Sequence, residues 1–356
     1  MAVSGGRVRG AVVGAGHMGQ YHARVYAELW DVDLVGIVDI DPARAGAVAA
    51  QYEATAFGDH RDLIGRVDVA SVAVPTEQHF HVARELLEAG VSVLVEKPIT
   101  PTLAEAQALY AIARAAGVAI EVGHVERFNG AVQELRKIVD RPILIESRRL
   151  GPFVPRVQKD TVVMDLMIHD IDIVLALVDS VPVRIAAFGA PVHSETTDVA
   201  TVQIAFASGT IATITASRAT EEKIRTLAIT QPDAYIVLDY TDQDIQIHRR
   251  AAQEYTLNRE SIRYRQASFV EHLFVHRDNP LKLEIQHLIQ SMRRMRAGDH
   301  VPLAVADDLR SLAMALQIER MIRDGVAEEA VSDLLEMGGA RRAPQAPQAP
   351  HAPGRE

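Results

Sequence analysis

A glycine-rich turn near the start of the chain constrains its fold more than any other feature. The segment Gly14-Ala15-Gly16-His17-Met18-Gly19 has the GxGxxG spacing and follows a short apolar run at 11–13. An amphipathic pattern comes next, and Asp39 ends the following apolar run 20 residues after Gly19. A strand, a glycine turn, a helix and an acid at this distance are what a dinucleotide-binding βαβ unit requires. The alternative is a glycine-rich turn in another kind of α/β protein.

Each residue of this turn has a separate predicted role. Gly14 permits the tight turn, Gly16 lets a pyrophosphate approach the backbone, and Gly19 allows close packing of helix on strand. The N–H groups at the helix start, next to His17 and Met18, would face the anionic pyrophosphate. The turn therefore predicts a binding site for a dinucleotide cofactor.

The acid after the second strand indicates which dinucleotide is bound. Asp39 would accept hydrogen bonds from the adenosine ribose hydroxyls and repel a 2′-phosphate. Arg44 follows a few residues later and would soften that preference. We therefore predict NAD as the cofactor rather than NADP.

The first third of the chain alternates strand-like runs with helical patterns. Such alternation predicts a doubly wound parallel sheet with helices on both faces, a Rossmann domain over residues 1–124. Asp41-Pro42 supplies a helix N-cap and first residue, and Gly90 and Gly117 lie where helices should end. The strand runs are 9–13, 34–39, 69–74, 92–96 and 119–122, and the helical patterns are 17–29, 42–51, 79–89 and 102–115.

The pattern changes after residue 125, where strand-like runs follow one another and Ser208-Gly209 marks a hairpin. We predict an α+β domain over 125–335 with a mainly antiparallel sheet. The last two helices of this domain each have an apolar stripe, and we expect them to pack against the Rossmann domain. Residues 336–356 repeat Ala-Pro-Gln and are predicted to be a disordered tail.

Bulk properties exclude several classes of function. The formal net charge of −10 argues against general nucleic-acid binding, because there is no basic excess to neutralise phosphates. With 0 cysteines, the chain has no disulfide, thiolate nucleophile or cysteine-bound metal. Glycines interrupt the N-terminal apolar run, and no run approaches the roughly 18 apolar residues of a membrane span. We therefore expect a cytoplasmic protein without a membrane partner.

Glu96-Lys97-Pro98 follows a buried-strand pattern, which places Lys97 just beyond the carboxyl end of a parallel strand. Ligands of open α/β sheets bind at that edge. An ammonium group there can donate a hydrogen bond to a substrate oxygen and stabilise developing alkoxide character. The alternative is a solvated lysine after a buried strand.

A second candidate element carries Asp165, His169 and Asp172 at i, i+4 and i+7, which predicts one shared helical face. An imidazole oriented by a carboxylate one turn away suits general-base chemistry near neutral pH. A metal site made of these three residues and a purely structural helix face are the alternatives. We predict no metal, because dehydrogenation with NAD does not need one.

These motifs, with Pro75-Thr76-Glu77-Gln78-His79 and the segment 279–284, resemble the glucose–fructose oxidoreductase/inositol dehydrogenase (Gfo/Idh/MocA) family in order and spacing. The resemblance covers nearly everything except the tail. It implies that Lys97 and His169 are catalytic, with Asp165 beside the histidine, and that Pro75, Thr76 and His79 lie near the nicotinamide. The resemblance also implies that the second domain is a substrate and oligomerisation domain with an open, mainly antiparallel sheet, in a dimer or tetramer. The predicted cofactor-binding residues are Gly14, Gly16, His17, Met18, Gly19, Asp39, Pro75, Thr76, His79, Glu96 and Lys97.

A narrower resemblance covers Gly123–Asn129 and Arg148–Phe153, which are similar to family members that oxidise the 3-hydroxyl of UDP-N-acetylglucosamine. It implies a 3-keto product for an aminotransferase, in lipopolysaccharide or lipid A sugar biosynthesis. Guanidinium groups bind phosphate oxygens bidentately, so the cluster Arg148, Arg149, Arg156 and Lys159 suits a diphosphate. Strand alternation lets only one of Arg148 and Arg149 reach it. The predicted substrate-binding residues are Lys97, Arg127, Asn129, Arg149, Arg156, Asp165 and His169.

The sequence thus predicts an NAD-dependent oxidoreductase that acts on a sugar CH–OH group. His169 would remove the proton, Lys97 would hold the same oxygen, and Asp165 would orient the imidazole. The alternatives are a dehydrogenase of a free polyol or monosaccharide, such as an inositol, and a non-catalytic NAD-binding regulator.

Overall fold

A computed structural model describes residues 6–155, 160–250, 254–258, 261–265 and 268–331. Arg156, Lys159 and the predicted tail at 336–356 lie outside the described residues. In the first part of the chain, strands and helices alternate as the sequence predicts. The strands are β1 Val8–Val13, β2 Val32–Val38, β3 Thr55–Phe57, β4 Val69–Val72, β5 Ser92–Val95 and β6 Ile120–Val122. The helices are α1 His17–Glu28, α2 Pro42–Gln51, α3 Thr76–Glu88 and α4 Leu103–Ala116, with a 3-10 turn at His60–Leu63.

The six strands form one parallel sheet in the order β3-β2-β1-β4-β5-β6. This is the strand order of a dinucleotide-binding Rossmann sheet, which confirms the predicted fold. Every residue of β4 and β5 is buried, because helices cover both faces. The point where the strand order reverses, between β1 and β4, is where such sheets bind ligands at their carboxyl edge.

Local signals in the sequence account for several helix boundaries. The Asp41 carboxylate accepts hydrogen bonds from the backbone N–H groups of Ala43 (3.0 Å) and Arg44 (3.2 Å), and Pro42 opens α2. Gly117 ends α4 with a left-handed φ of 67°, a conformation that glycine adopts without steric cost.

The second part of the chain is built around a sheet of nine strands: β7 Leu144–Leu150, β8 Pro182–Ala190, β9 Val199–Phe206, β10 Ile211–Ser217, β11 Ile224–Gln231, β12 Ala234–Asp239, β13 Asp244–Arg250, β16 Ser268–Leu273 and β17 Glu328–Ala330. Their order in the sheet is β16-β13-β12-β11-β7-β10-β9-β8-β17. Among the strand pairs that the structure describes in this sheet, only β7–β10 is parallel, so the prediction of a mainly antiparallel sheet is confirmed. Ser208-Gly209 forms the predicted hairpin, since Ala205 on β9 pairs with Ile211 on β10. A separate two-stranded ribbon pairs β14 Glu254–Asn258 with β15 Ser261–Arg265.

Helices cover one face of this sheet. A 3-10 turn at Val125–Phe128 leads into α5 Gly130–Ile138, and a π-helical turn at Val163–Met167 leads into α6 Ile168–Leu177. Their apolar side chains form one core with the sheet, which includes Leu135, Ile145 and Ile171.

The last two helices, α7 Pro280–Arg296 and α8 Val305–Asp324, return to the first sheet. Ile285 and Leu288 of α7 pack in the core on the α1 side, and Leu309 of α8 packs in the core on the α3–α4 side. Further along α8, Ile318 belongs to the core of the second sheet. One helix therefore ties the two sheets together. Within the described residues, no helix has the length and apolar character of a membrane span.

Candidate active site

The glycine turn has the shape that a pyrophosphate needs. Gly14 has φ +98°, and a Cβ atom there would lie 2.5 Å from the Ala73 carbonyl oxygen. A Cβ atom on Gly19 would lie 1.7 Å from the Gly14 oxygen, so the turn requires glycine at both positions. By contrast, a Cβ atom on Gly16 would meet nothing within 4 Å, which leaves its backbone open. The residues present therefore fit a dinucleotide.

The start of α1 supplies donors for that ligand. Gly16 is the N-cap, and no side chain caps the first helical N–H groups. His17 and Met18 are exposed in the first turn, so their backbone amides can face an anion.

Asp39 also holds the glycine turn in shape. Its Oδ2 accepts a hydrogen bond from the backbone N–H of Ala15 (2.8 Å), and its Oδ1 accepts one from Asp41 (2.9 Å). The Arg44 guanidinium lies 3.4 Å from Oδ2. Because each carboxylate oxygen has a second lone pair, Asp39 can still accept a ribose hydroxyl.

The imidazole of His79 lies between the loop after β4 and the turn after β5 and contacts both. Pro75 is exposed and Thr76 half-buried at the start of α3, whereas His79 is 1% exposed. The ring nitrogens of His79 lie 2.9 Å from the Val74 and Pro98 carbonyl oxygens. We expected His79 to contact the cofactor. In the structure His79 lies between the two loops; burial lowers its pKa, so the neutral ring donates to one of these two carbonyl oxygens, and its contact with the cofactor stays a prediction.

Glu96 is likewise a supporting residue. Its Oε1 lies 2.8 Å from Nε2 of His22, whose Nδ1 lies 2.9 Å from the Ser71 hydroxyl. Its Oε2 accepts a hydrogen bond from the Lys97 backbone N–H at 3.2 Å. Glu96 is buried beneath the turn and fixes the backbone of Lys97, and its predicted contact with the cofactor stays a prediction.

Lys97 follows β5, and its peptide bond to Pro98 is cis. Its side chain reaches across to the second domain. Its Nζ donates hydrogen bonds to the backbone oxygen (2.5 Å) and Oδ1 (3.1 Å) of Asp165 in the π-helical turn. The two side chains are 17% and 23% exposed, so solvent or a ligand can reach the pair. The structure thus brings two of the predicted catalytic residues together, although 68 positions separate them.

His169 lies in the first turn of α6, near the same ammonium group. Burial lowers the pKa of His169 well below its ordinary value of 6.5, and the charge of Lys97 lowers it further. Its Nδ1 is enclosed without a hydrogen-bond partner among the described residues, whereas the residue as a whole is half-buried. The neutral imidazole is therefore the stable form, ready to accept a proton.

The predicted contact between Asp165 and His169 is not made. The Asp165 carboxylate pairs with Lys97 instead, because an ammonium group is a stronger partner than a neutral imidazole. The π-helical turn also replaces the regular α-helical spacing on which the predicted shared face depended. Asp172 binds Arg127 (2.5 Å) and does not join the other two. In the described part of the chain, no three His, Asp or Glu side chains are arranged to hold a metal ion.

Three predicted substrate-binding residues have structural partners. Arg127 forms ion pairs with Asp172 and with Asp308 (2.6 Å). Asn129 caps α5 through the N–H of Ala131 (3.0 Å) and donates to a carbonyl oxygen (3.1 Å). These contacts give both residues a structural role, and their predicted contact with the substrate stays a prediction.

Arg149 is the third, and it is 2% exposed. Its Nε donates to Asp170 (2.6 Å), one terminal nitrogen donates to Glu126 (2.9 Å), and the guanidinium stacks on the Tyr240 ring. As strand alternation predicts, Arg148 and Arg149 lie on opposite faces of β7, and Arg148 is exposed. Carboxylates take the donors of Arg149, so the structure offers no argument for its binding a diphosphate, and that role stays a prediction.

We expect Arg149→Met to lower the free energy of unfolding by about 3–5 kcal/mol, because it leaves Asp170 buried without its cation. Arg148→Met is the matched control and should change stability by less than about 0.5 kcal/mol. Denaturant unfolding of both variants measures the difference. Equal stability of the two variants would contradict this account of Arg149.

Sequence reasoning missed Arg225. This residue lies on β11 directly opposite Arg149 on β7, and its Nε is enclosed without a hydrogen-bond partner among the described residues. No local signal marks it, since its position depends on pairing between strands about 75 residues apart in sequence.

Comparisons with known proteins agree with this geometry. Residues 8–124 match the model of an oxidoreductase family with an NAD-binding Rossmann fold, and residues 129–236 match the GFO/IDH/MocA C-terminal domain. UDP-N-acetylglucosamine 3-dehydrogenase from Acidithiobacillus ferrooxidans is 37% identical over 69% of this chain and 78% of its own length.

A solved structure of that enzyme has a TM-score of 0.79 and 32% identity, over 89% of this chain and 98% of the other. Inositol 2-dehydrogenase from Acidothermus cellulolyticus is 32% identical over 49% of this chain and 54% of its own length. The matched domains and the shared sequence lead to one conclusion: this chain belongs to the Gfo/Idh/MocA family of NAD-binding Rossmann-fold oxidoreductases.

Proposed function

We propose that the protein oxidises the 3-hydroxyl of UDP-N-acetylglucosamine to the 3-keto sugar nucleotide, with NAD as the oxidant. The observation that carries this proposal is the meeting of Lys97 with the π-helical turn beside His169. A proton acceptor and a hydrogen-bond donor then lie at the carboxyl edge of the Rossmann sheet. The 37% identical relative named for this reaction supports the choice of substrate.

The chain's own residues divide the work at the sugar hydroxyl. His169, held neutral, accepts the hydroxyl proton, and Lys97 donates a hydrogen bond to the same oxygen as negative charge develops on it. Asp165 accepts two hydrogen bonds from the Lys97 ammonium through its backbone and side-chain oxygens, and so aims that group. Bound NAD supplies the acceptor for the hydride from C3.

The dinucleotide would be held by the glycine turn, the α1 N-terminus and Asp39, with Pro75 and Thr76 near the nicotinamide. A 3-keto sugar is a substrate for an aminotransferase, which we propose as the next enzyme in the pathway. We further propose a cytoplasmic homo-oligomer. Phe188 is 61% exposed on the second sheet, where a second subunit would cover it.

A substrate screen that follows NADH absorbance tests the proposal. We expect turnover with UDP-N-acetylglucosamine and little with N-acetylglucosamine or myo-inositol at equal concentration, because the nucleotide supplies binding energy. Turnover of myo-inositol without turnover of the sugar nucleotide would favour a polyol dehydrogenase. NAD binding without turnover of any sugar or polyol would favour a regulator.

A further inference from the structure

Among the described residues, Arg225 is an arginine for which no carboxylate lies within ion-pair distance. It is half-buried on β11, yet it forms no ion pair in the part of the chain that the structure describes. Its Nε is enclosed and lacks a hydrogen-bond partner there. Arg127 and Arg149, by contrast, each pair with two carboxylates. A partly buried guanidinium that lacks an anion loses solvation without compensation.

Its position explains which ligand would supply that anion. Arg225 pairs directly with Arg149 across β7 and β11, so both side chains leave the sheet on the same face. That face carries α6. The charge of Arg225 acts on His169, and Arg225 in turn feels the charges of Glu126, Asp170 and Asp165. Arg225 therefore lies on the same side of the sheet as the reactive groups and within electrostatic range of them.

Lys223 extends the same positive surface. It is exposed in the loop just before β11, two residues ahead of Arg225, and the charge of Arg225 reaches it. The charge of Arg225 lowers the pKa of Lys223, and burial followed by the charge of Arg149 lowers the pKa of Arg225. Neighbouring cations repel one another, and a bound anion would remove that repulsion.

We infer that Arg225, assisted by Lys223, binds the diphosphate of the sugar nucleotide and is the residue that selects a nucleotide-linked sugar over a free one. This inference rests on the proposed function and names the binding residue for its substrate. A guanidinium presents paired N–H donors that match phosphate oxygens, and a lysine nearby adds a point charge. The inference replaces the earlier assignment of this role to Arg149.

Binding of UDP to the full-length protein with NADH tests the inference without turnover. Isothermal titration calorimetry should show Arg225→Gln raising the Kd for UDP by about tenfold to a hundredfold, as expected for a lost charge-assisted hydrogen bond. Arg225→Lys should fall between Arg225→Gln and the wild type. The Kd for NADH and the thermal melting temperature of each variant report whether the fold is intact.

Arg114→Gln is the matched control. Arg114 is an exposed arginine in the last turn of α4, at the sheet edge opposite the site, and should leave the Kd for UDP unchanged. In kinetics, Arg225→Gln should raise KM for UDP-N-acetylglucosamine far more than it lowers kcat.

The outcomes separate the two proposals. Wild-type affinity for UDP in Arg225→Gln, or no binding of UDP or inorganic pyrophosphate by the wild type, would overturn the inference. If the wild type binds both UDP and pyrophosphate through Arg225 but does not oxidise UDP-N-acetylglucosamine, the diphosphate site stands and the sugar proposed for the substrate is wrong.

Discussion

Replacing Lys97 with methionine is expected to lower kcat by about 10²–10⁴-fold, the usual cost of a lost donor or proton-transfer group in an active site. Methionine keeps much of the length and apolar stem of lysine but has no ammonium group to hold the substrate oxygen. The same change frees the Asp165 oxygens that Lys97 now binds at 2.5 and 3.1 Å.

The effect should be confined to chemistry. The glycine turn and Asp39 hold each other in shape through contacts that do not involve Lys97. The Kd for NADH should therefore stay near the wild-type value. Lys137→Met removes an exposed lysine from α5 and serves as the control, with unchanged kcat. A Lys97→Met enzyme with wild-type kcat would show that Lys97 has no part in catalysis.

His169→Asn should also lower kcat by about 10²–10⁴-fold, because it removes the proton acceptor but retains a polar side chain of similar size. His300→Asn, at an exposed histidine between α7 and α8, is the control. Single-turnover kinetics with saturating NAD would separate the chemical step from product release. Full activity of His169→Asn would assign the base to another group.

The wild-type pH profile tests the same residue. Burial and then Lys97 lower the pKa of His169 well below 6.5, so the neutral, active form persists as the pH falls through 6.5. Activity assigned to His169 should be lost only when the pH drops through that lowered value. We therefore expect the acidic limb of kcat/KM well below pH 6.5. An acidic limb at or above 6.5 would contradict a buried neutral imidazole.

Features that depend on neighbouring residues were predictable from sequence. The GxGxxG turn works through steric contacts within a few residues, such as the clash that any Cβ on Gly19 would make with Gly14. The Asp41 cap and the Ser208-Gly209 hairpin are equally local. Lys97 could be placed at the sheet edge because a parallel strand fixes the position of the residue that follows it.

Features that depend on distant partners were not predictable. Nothing near Arg149 in the sequence indicates that Asp170 and Glu126 will take its donors. Nothing near Arg225 indicates that its Nε will lack a hydrogen-bond partner among the described residues. Both facts follow from the pairing of β7 with β11. The π-helical turn at Val163–Met167 similarly redirects Asp165 towards Lys97.

The central claim is that the site holding Lys97 and His169 removes a hydride from C3 of a sugar nucleotide. Mass spectrometry after turnover of UDP-N-acetylglucosamine deuterated at C3 tests this claim most directly. We predict a sugar product that has lost the deuterium, NADH that has gained it, and slower turnover of the labelled substrate. A product that keeps deuterium at C3, or NADH formed without the label, would contradict the account.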